Sequence, residues 1–247
     1  MGVRRLNGER PDGQILLIVP ALNQENDIAA VVETARRLRY GVCVVDDAST
    51  DRTADRAEDA GAQVLRMPRT LGPGAALRCG FRWAVEHGYQ SVLQADAYVD
   101  LGQVPAIVDT MEAAEADMAV VSLRTRDSVL RRWAMKLLSV RIARAGGRRI
   151  LQPTSELRVT RGPLLDRFAA DYPAEYHTVA ALVEAGRMGA NIMEVLVPES
   201  SAGRDSTLGL RYLMKAILAV ELMPKAPLAP LRVLRAVPPA NRAAPTA

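Results

Sequence analysis

Two cysteines, two phenylalanines, two tryptophans and two histidines are all that this 247-residue chain contains of those types. So few cysteines exclude a disulfide scaffold, and a chain of this length buries an adequate core without one. Cys43 falls in a predicted strand and Cys79 in a predicted helix, the usual places for packed thiols. The histidines, His87 and His177, have no partners at metal-ligand spacing, and neither HExxH nor GxSxG occurs. The shortage of large aromatics leaves little surface for stacking unpaired bases, so nucleic acid is not the expected partner. No run of 18 apolar residues is present, and Ile15 to Val19 is too short for a signal peptide. A cytoplasmic protein, with peripheral membrane contact left open, is the expectation.

The charge that is present is unevenly placed. Residues 124 to 149 carry nine basic side chains (Arg124, Arg126, Arg131, Arg132, Lys136, Arg141, Arg144, Arg148, Arg149) against Asp127 alone, a net +8 in a chain of net +4. The remainder therefore sums to −4. Such a segment points to phosphate, on a small molecule or a lipid headgroup.

Apolar patterning predicts alternating strands and helices up to about residue 121. Strands are expected at Ile15–Val19 (stopped by Pro20), Val42–Val45, Gln63–Met67, Ser91–Gln94 and Met118–Val121. Helices are expected at Ile28–Leu38 (capped by Asp27), Arg52–Ala60, Ala75–His87 and Gln103–Ala114. This βα alternation predicts a mostly parallel sheet flanked by helices, with right-handed crossovers. Beyond Ser122 the rhythm changes to a basic helix over Leu130–Ala145, a turn at Gln152–Ser155, a strand at Leu157–Thr160, a helix near His177–Ala185, a strand at Asn191–Val197 and a helix over Leu208–Leu222. That last helix has Leu210, Leu213, Ile217 and Val220 near one face and is expected to pack as core or lid. The organisation predicted is an N-terminal extension (1–13), an α/β half (14–122), a second half of the same domain (123–222) and a Pro/Ala-rich tail without fixed fold (223–247).

Chemistry concentrates where strands end. Asp46 and Asp47 follow Val45 directly, and open α/β sheets bind ligands beyond the carboxyl ends of their strands. A carboxylate there can accept from a pyrimidine N–H or from ribose hydroxyls, or it can cap the turn that follows. Parallel order brings Asn23 and Glu25, after the first strand, beside that loop. Arg69 to Gly74 reads RTLGPG and opens a helix, so Gly74 and the nearby Arg78 suit a phosphate at a helix N-terminus, although the pattern is neither a Walker loop nor GxGxxG. Asp96 closes the fourth strand with Asp100 four residues on, and a carboxylate pair can hold a divalent cation against a diphosphate.

Taken together, Pro20-Ala21-Leu22-Asn23-Gln24-Glu25-Asn26-Asp27-Ile28, Val44 to Asp51 and Thr70 to Gly80 resemble motifs of the inverting family 2 glycosyltransferases. These enzymes have the GT-A fold, and the likeness is to their dolichyl- or polyprenyl-phosphate mannosyl- and glucosyltransferase branch. It is specific to about residue 121 and weaker to about 207. The resemblance implies that Pro20, Leu22, Glu25, Asp46 and Asp47 surround the nucleoside of a UDP- or GDP-linked sugar, with Gly74, Arg78 and Arg204 toward the diphosphate. It further implies that Asp96, with Asp100, meets a Mn2+ or Mg2+ ion. Gln152 to Arg158 is similar to the segment bordering the acceptor, a polyprenyl phosphate or a small-molecule hydroxyl or amine; Glu156, Asp171 and Glu175 are the acids available as general base. Self-association is left open.

Three departures stand out: Tyr98 replaces the usual second aspartate, Gln152 an acid and Glu156 a glycine. They fit a re-aimed acceptor site. They also fit a catalytically silent nucleotide-sugar binder acting as a scaffold or regulatory subunit. A nucleotidyltransferase shares the βα core but ordinarily has a glycine-rich basic first loop, which Pro20 to Asp27 does not provide.

Overall fold

The computed structural model describes residues 15–97, 101–123, 128–146, 149–197, 210–223 and 233–234. The first half is the expected alternation: β1 (Ile15–Ala21), α1 (Ile28–Arg37), β2 (Gly41–Asp46), α2 (Thr53–Asp59), β3 (Gln63–Arg66), α3 (Pro73–Glu86), β4 (Ser91–Gln94), α4 (Val104–Ala113) and β5 (Met118–Leu123). The second half adds α5 (Val129–Gly146), β6 (Arg158–Arg161), α6 (Pro163–Ala170), α7 (His177–Arg187), β7 (Ile192–Val197), α8 (Leu210–Glu221) and β8 (Val233–Leu234). Among the described residues the eight strands form one sheet in the order β3-β2-β1-β4-β6-β5-β7-β8. It is parallel except for β6, which runs antiparallel to both β4 and β5.

Near-continuous apolar strands demand cover on both faces. On one face Leu17, Val19 and Val44 pack with Ile28, Val32 and Ala57 of α1 and α2 and with Ile107 of α4. On the other, Leu16, Ile18 and Val45 meet Leu77 and Phe81 of α3, in a core that extends through Leu138, Phe168, Leu182 and Leu213 of α5 to α8. Leu213, Ile217 and Val220 are buried, so α8 is a core helix on its inner face.

Several expectations need correction. β1 does not stop at Pro20: Pro20 pairs with Val45 and Ala21 with Asp46. The last β1 residue paired with β4 is Ile18, so the missing Pro20 N–H deprives no ladder on that side. Asp27 stands at the start of α1 without a side-chain capping bond, because its backbone is already helical (φ −111°, ψ −26°); an N-cap needs an extended residue. Instead, the Gln24 carbonyl accepts from the N–H groups of Asp27 and Ile28. α3 begins at Pro73, whose fixed φ suits the first helical position. α6 was not expected, and β8, inside the Pro/Ala-rich tail, pairs with β7 through Val233 and Leu234.

Candidate functional site

Because β1, β2 and β4 are neighbours and parallel, their carboxyl ends open on one side of the sheet. Asp46 and Asp96 leave strands on either side of β1, about 10 Å apart at ordinary strand spacing. The loops after β1 and β2 are bonded to each other. The N–H of Asn23 donates to Ser49 Oγ (2.9 Å), the N–H of Thr50 to Asn23 Oδ1 (2.9 Å), and the N–H of Glu25 to Asp51 Oδ2 (3.2 Å). Glu25 returns a bond, its Oε2 accepting from the N–H of Arg52 at 3.2 Å. Glu25 therefore caps the entry to α2, and Leu22 lies exposed on the rim.

The two adjacent aspartates have different tasks. Asp47 is 3% exposed, and its carboxylate accepts from the N–H groups of Leu71 and Gly72, each at 2.8 Å. Both oxygens are thus engaged in holding the loop before α3. Asp46, 5% exposed, accepts through Oδ2 from the N–H of Ser49 at 3.3 Å, while its Oδ1 has no partner. A buried carboxylate oxygen left unsatisfied is costly unless a ligand donor meets it. Of the pair, only Asp46 keeps a carboxylate oxygen without a protein partner. Ala48 follows at φ 63°, a left-handed position that favours glycine.

Gly72, at φ 89°, opens α3 and has free space where a side chain would stand. At Gly74 a Cβ would collide with the carbonyls of Pro173 and Ala174, which itself demands glycine. Arg78 is exposed on the first turns of the same helix, and Glu175 is exposed in the segment that covers Gly74. Asp100 and Arg204 lie outside the described residues, as does Tyr98.

The feature that periodicity could not foretell is the direction of β6. Running antiparallel, it begins where β4 ends, with Arg158 opposite Gln94. Glu156, two residues earlier, therefore reaches Asp96, and the two carboxyl groups share a hydrogen bond. Burial first, and then the Asp96 charge, push Glu156 up to about 8, partly offset by Arg158.

Behind this pair the turn is rigidly built. Arg158 is fully buried; its Nε donates to the Ser155 carbonyl (2.9 Å) and its Nη2 to that of Pro153 (3.0 Å), while Nη1 has no partner. Ser155 Oγ donates to the Val121 carbonyl. Glu194 of β7, 1% exposed, accepts from Ser122 Oγ (2.6 Å) and from the N–H groups of Gln152 (2.7 Å) and Leu151 (2.8 Å). Tyr172 donates to Gln94 Oε1 at 3.0 Å. Burial, and then Arg158, lower His177 to about 4, so it is neutral and structural. Arg158 was placed only as the end of the acceptor-bordering segment, and Glu194 escaped sequence reasoning, because a charge in an apolar strand pattern looks like an interruption rather than a brace.

The same turn borders a pocket of about 290 Å³ between α5 and residues 149–152. Arg132, Lys136 and Arg149 supply three cations, Met135 and Leu151 apolar wall, and Ser139 a hydroxyl that is buried without a partner. Outside the pocket α5 exposes Leu130, Trp133 and Leu137. Among the described residues no helix is long and apolar enough to cross a membrane.

Comparison with known proteins gives a concordant picture. Residues 16–171 match the model of glycosyl transferase family 2. An undecaprenyl-phosphate mannosyltransferase of Micrococcus luteus is 33% identical over 132 residues, 49% of this chain and 52% of that protein. A 3-phospho-D-glycerate guanylyltransferase of Phenylobacterium zucineum is 32% identical over 151 residues, 58% of this chain and 59% of its own. The chain thus spans just over half the length of these relatives. Among solved structures, glucosyl-3-phosphoglycerate synthase of Mycobacterium tuberculosis, in complex with Mn2+, UDP-glucose and phosphoglyceric acid, superposes with a TM-score of 0.64 at 20% identity, covering 88% of each chain. At that identity the likeness establishes the shared fold.

Proposed function

The chain belongs to glycosyl transferase family 2, and from that premise we propose that it moves a sugar from a nucleoside-diphosphate sugar to a phosphate-bearing acceptor, with inversion at the anomeric carbon. The observation that supports this reading is the buried, unpartnered Oδ1 of Asp46 at the end of β2, on the same edge of the sheet as Asp96 across β1. Asp46 accepts from the base or ribose; the acceptor oxygen attacks the anomeric carbon from the side opposite the departing diphosphate. Arg78, exposed near the N-terminus of α3, and Arg204 are the cations assigned to the leaving charge.

The donor set at Asp96 fits a divalent cation. Two carboxyl groups in contact provide hard oxygen ligands, and Mg2+ or Mn2+ commonly takes one or two carboxylates together with substrate phosphates and water. Such an ion, when bound, supplies charge neutralisation of the diphosphate.

The pocket of Arg132, Lys136 and Arg149 supports a phosphate on the acceptor. Leu130, Trp133 and Leu137 beside it favour an isoprenoid chain on that phosphate and contact with a membrane surface. An acceptor phosphate is already anionic and needs little help from a base.

The test is product analysis: the protein is incubated with UDP-glucose or GDP-mannose and either a polyprenyl phosphate or 3-phosphoglycerate, with Mn2+ or Mg2+. Release of nucleoside diphosphate with a glycosylated acceptor is the expected result. The match to a guanylyltransferase favours a second reading, nucleotidyl transfer; pyrophosphate released from a nucleoside triphosphate in the presence of 3-phosphoglycerate would establish it instead. Nucleotide-sugar binding without turnover would mark a silent relative.

A further inference from the structure

We propose that Glu156 is a direct ligand of the divalent cation, supplying a carboxylate from the acceptor-side turn opposite Asp96. This rests on the donor-site reading above. Three observations carry it. Two positions after Asp96 the sequence has Tyr98, which offers no carboxylate. The antiparallel entry of β6, with Arg158 opposite Gln94, brings Glu156 onto Asp96 so closely that their carboxyl groups are hydrogen-bonded. Nothing about the turn is loose: Arg158 holds the carbonyls of Ser155 and Pro153, Ser155 holds Val121, and Glu194 holds the N–H groups of Leu151 and Gln152. A ligand presented on such a frame is pre-positioned rather than recruited.

Arg158 is wholly buried, acts electrostatically on Glu156, and keeps Nη1 without a partner; a buried guanidinium is stabilised by an ionised neighbour. Two carboxyl groups brought together from opposite strands offer hard oxygen ligands to one cation. Among the described residues no third Asp, Glu, His or Cys joins the pair. The other coordination positions fall to the diphosphate and water. Because Glu156 belongs to the acceptor-side turn and Asp96 to the donor strand, the ion joins the two halves of the site.

The experiment is Mn2+ titration of the whole chain by electron paramagnetic resonance, with UDP or GDP present, comparing wild type with Glu156→Gln. Glutamine preserves the volume, and its amide can donate to Asp96 as the protonated carboxyl does. The expected result is a loss of Mn2+ affinity of about ten-fold or more, in line with what metal sites lose when ligand support is removed, with nucleotide binding in EDTA unchanged. Equal Mn2+ affinity in the two proteins overturns the assignment. Carbodiimide labelling of the wild-type protein, mapped by mass spectrometry, gives a test that needs no variant. Mn2+ should protect Asp96 and Glu156 together; protection of Asp96 alone overturns the proposal. Nucleotide binding that ignores Mn2+ removes the ion and leaves the donor reading standing, whereas failure to bind any nucleoside diphosphate removes both.

Discussion

Adjacent aspartates at the end of β2 should respond in opposite ways to substitution. In Asp47→Ala, two backbone donors, Leu71 and Gly72, lose a 3%-exposed carboxylate that each meets at 2.8 Å. Hydrogen bonds to charged groups contribute about 1.5–3 kcal/mol each. Leu71 is 47% exposed, so its N–H regains water once the loop relaxes, which places the sum at the lower end, about 3 kcal/mol. For a chain of this size that lowers Tm by about 6–12 °C. Asp46→Asn should behave otherwise: its amide oxygen still accepts from Ser49, and a buried charge with an unsatisfied oxygen disappears. Its Tm should hold or rise while affinity for UDP or GDP falls at least ten-fold. Differential scanning calorimetry and isothermal titration calorimetry on the two variants measure both quantities. An Asp47→Ala protein as stable as wild type, or an Asp46→Asn protein with undiminished nucleotide affinity, would refute the division of labour.

Ala48→Gly should raise Tm by about 2 °C, because the relief of a left-handed alanine, about 1–2 kcal/mol, exceeds the extra chain entropy of glycine, about 0.4–1 kcal/mol; a lower Tm in a thermal melt contradicts it. Gly186→Ala should cost about 3 kcal/mol or more in urea denaturation, since the new Cβ would strike the Gly146 carbonyl where α7 crosses α5 and only backbone movement could relieve it. His177 titrates at about 6.5 when unfolded and about 4 when folded, so it binds more protons in the unfolded chain; its contribution is complete above pH 6.5 and is lost as pH falls toward 4. Denaturation midpoints of His177→Asn should accordingly decline less than those of wild type across that interval. Lys136→Ala should raise the KM for a phosphate-bearing acceptor several-fold without altering donor affinity; an unchanged KM removes the basic pocket from acceptor binding.

What the sequence disclosed and what it withheld divide along physical lines. Period-two and period-3.6 apolar patterns are local, and from β1 to β5 they placed every element to within a few residues, because β1, β2 and β4 are buried by helices next to them in sequence, and the half-buried edge strand β3 is bounded by Gly61 and the loop before α3. Pro20 misled because the rule that proline ends a strand presumes a neighbour on both sides, and at Pro20 β4 no longer pairs. Asp46 and Asp47 were recognisable as a pair, but which one is braced depends on Leu71 and Gly72, some 25 residues away. The contact between Asp96 and Glu156 depends on the direction of one strand, and Arg158 through Thr160 carries no mark of that direction. Gly74 was legible as a glycine that permits close approach, and the Pro173–Ala174 backbone does approach it, a long-range contact that the sequence does not mark.

Calorimetric titration of the whole chain with UDP, GDP and their sugar conjugates, in Mn2+ and in EDTA, addresses the donor crevice most directly. Saturable binding of one nucleotide series, strengthened by Mn2+ and lost in Asp46→Asn while the fold is retained, is the predicted result. A folded wild-type protein that binds neither series under either condition would contradict it.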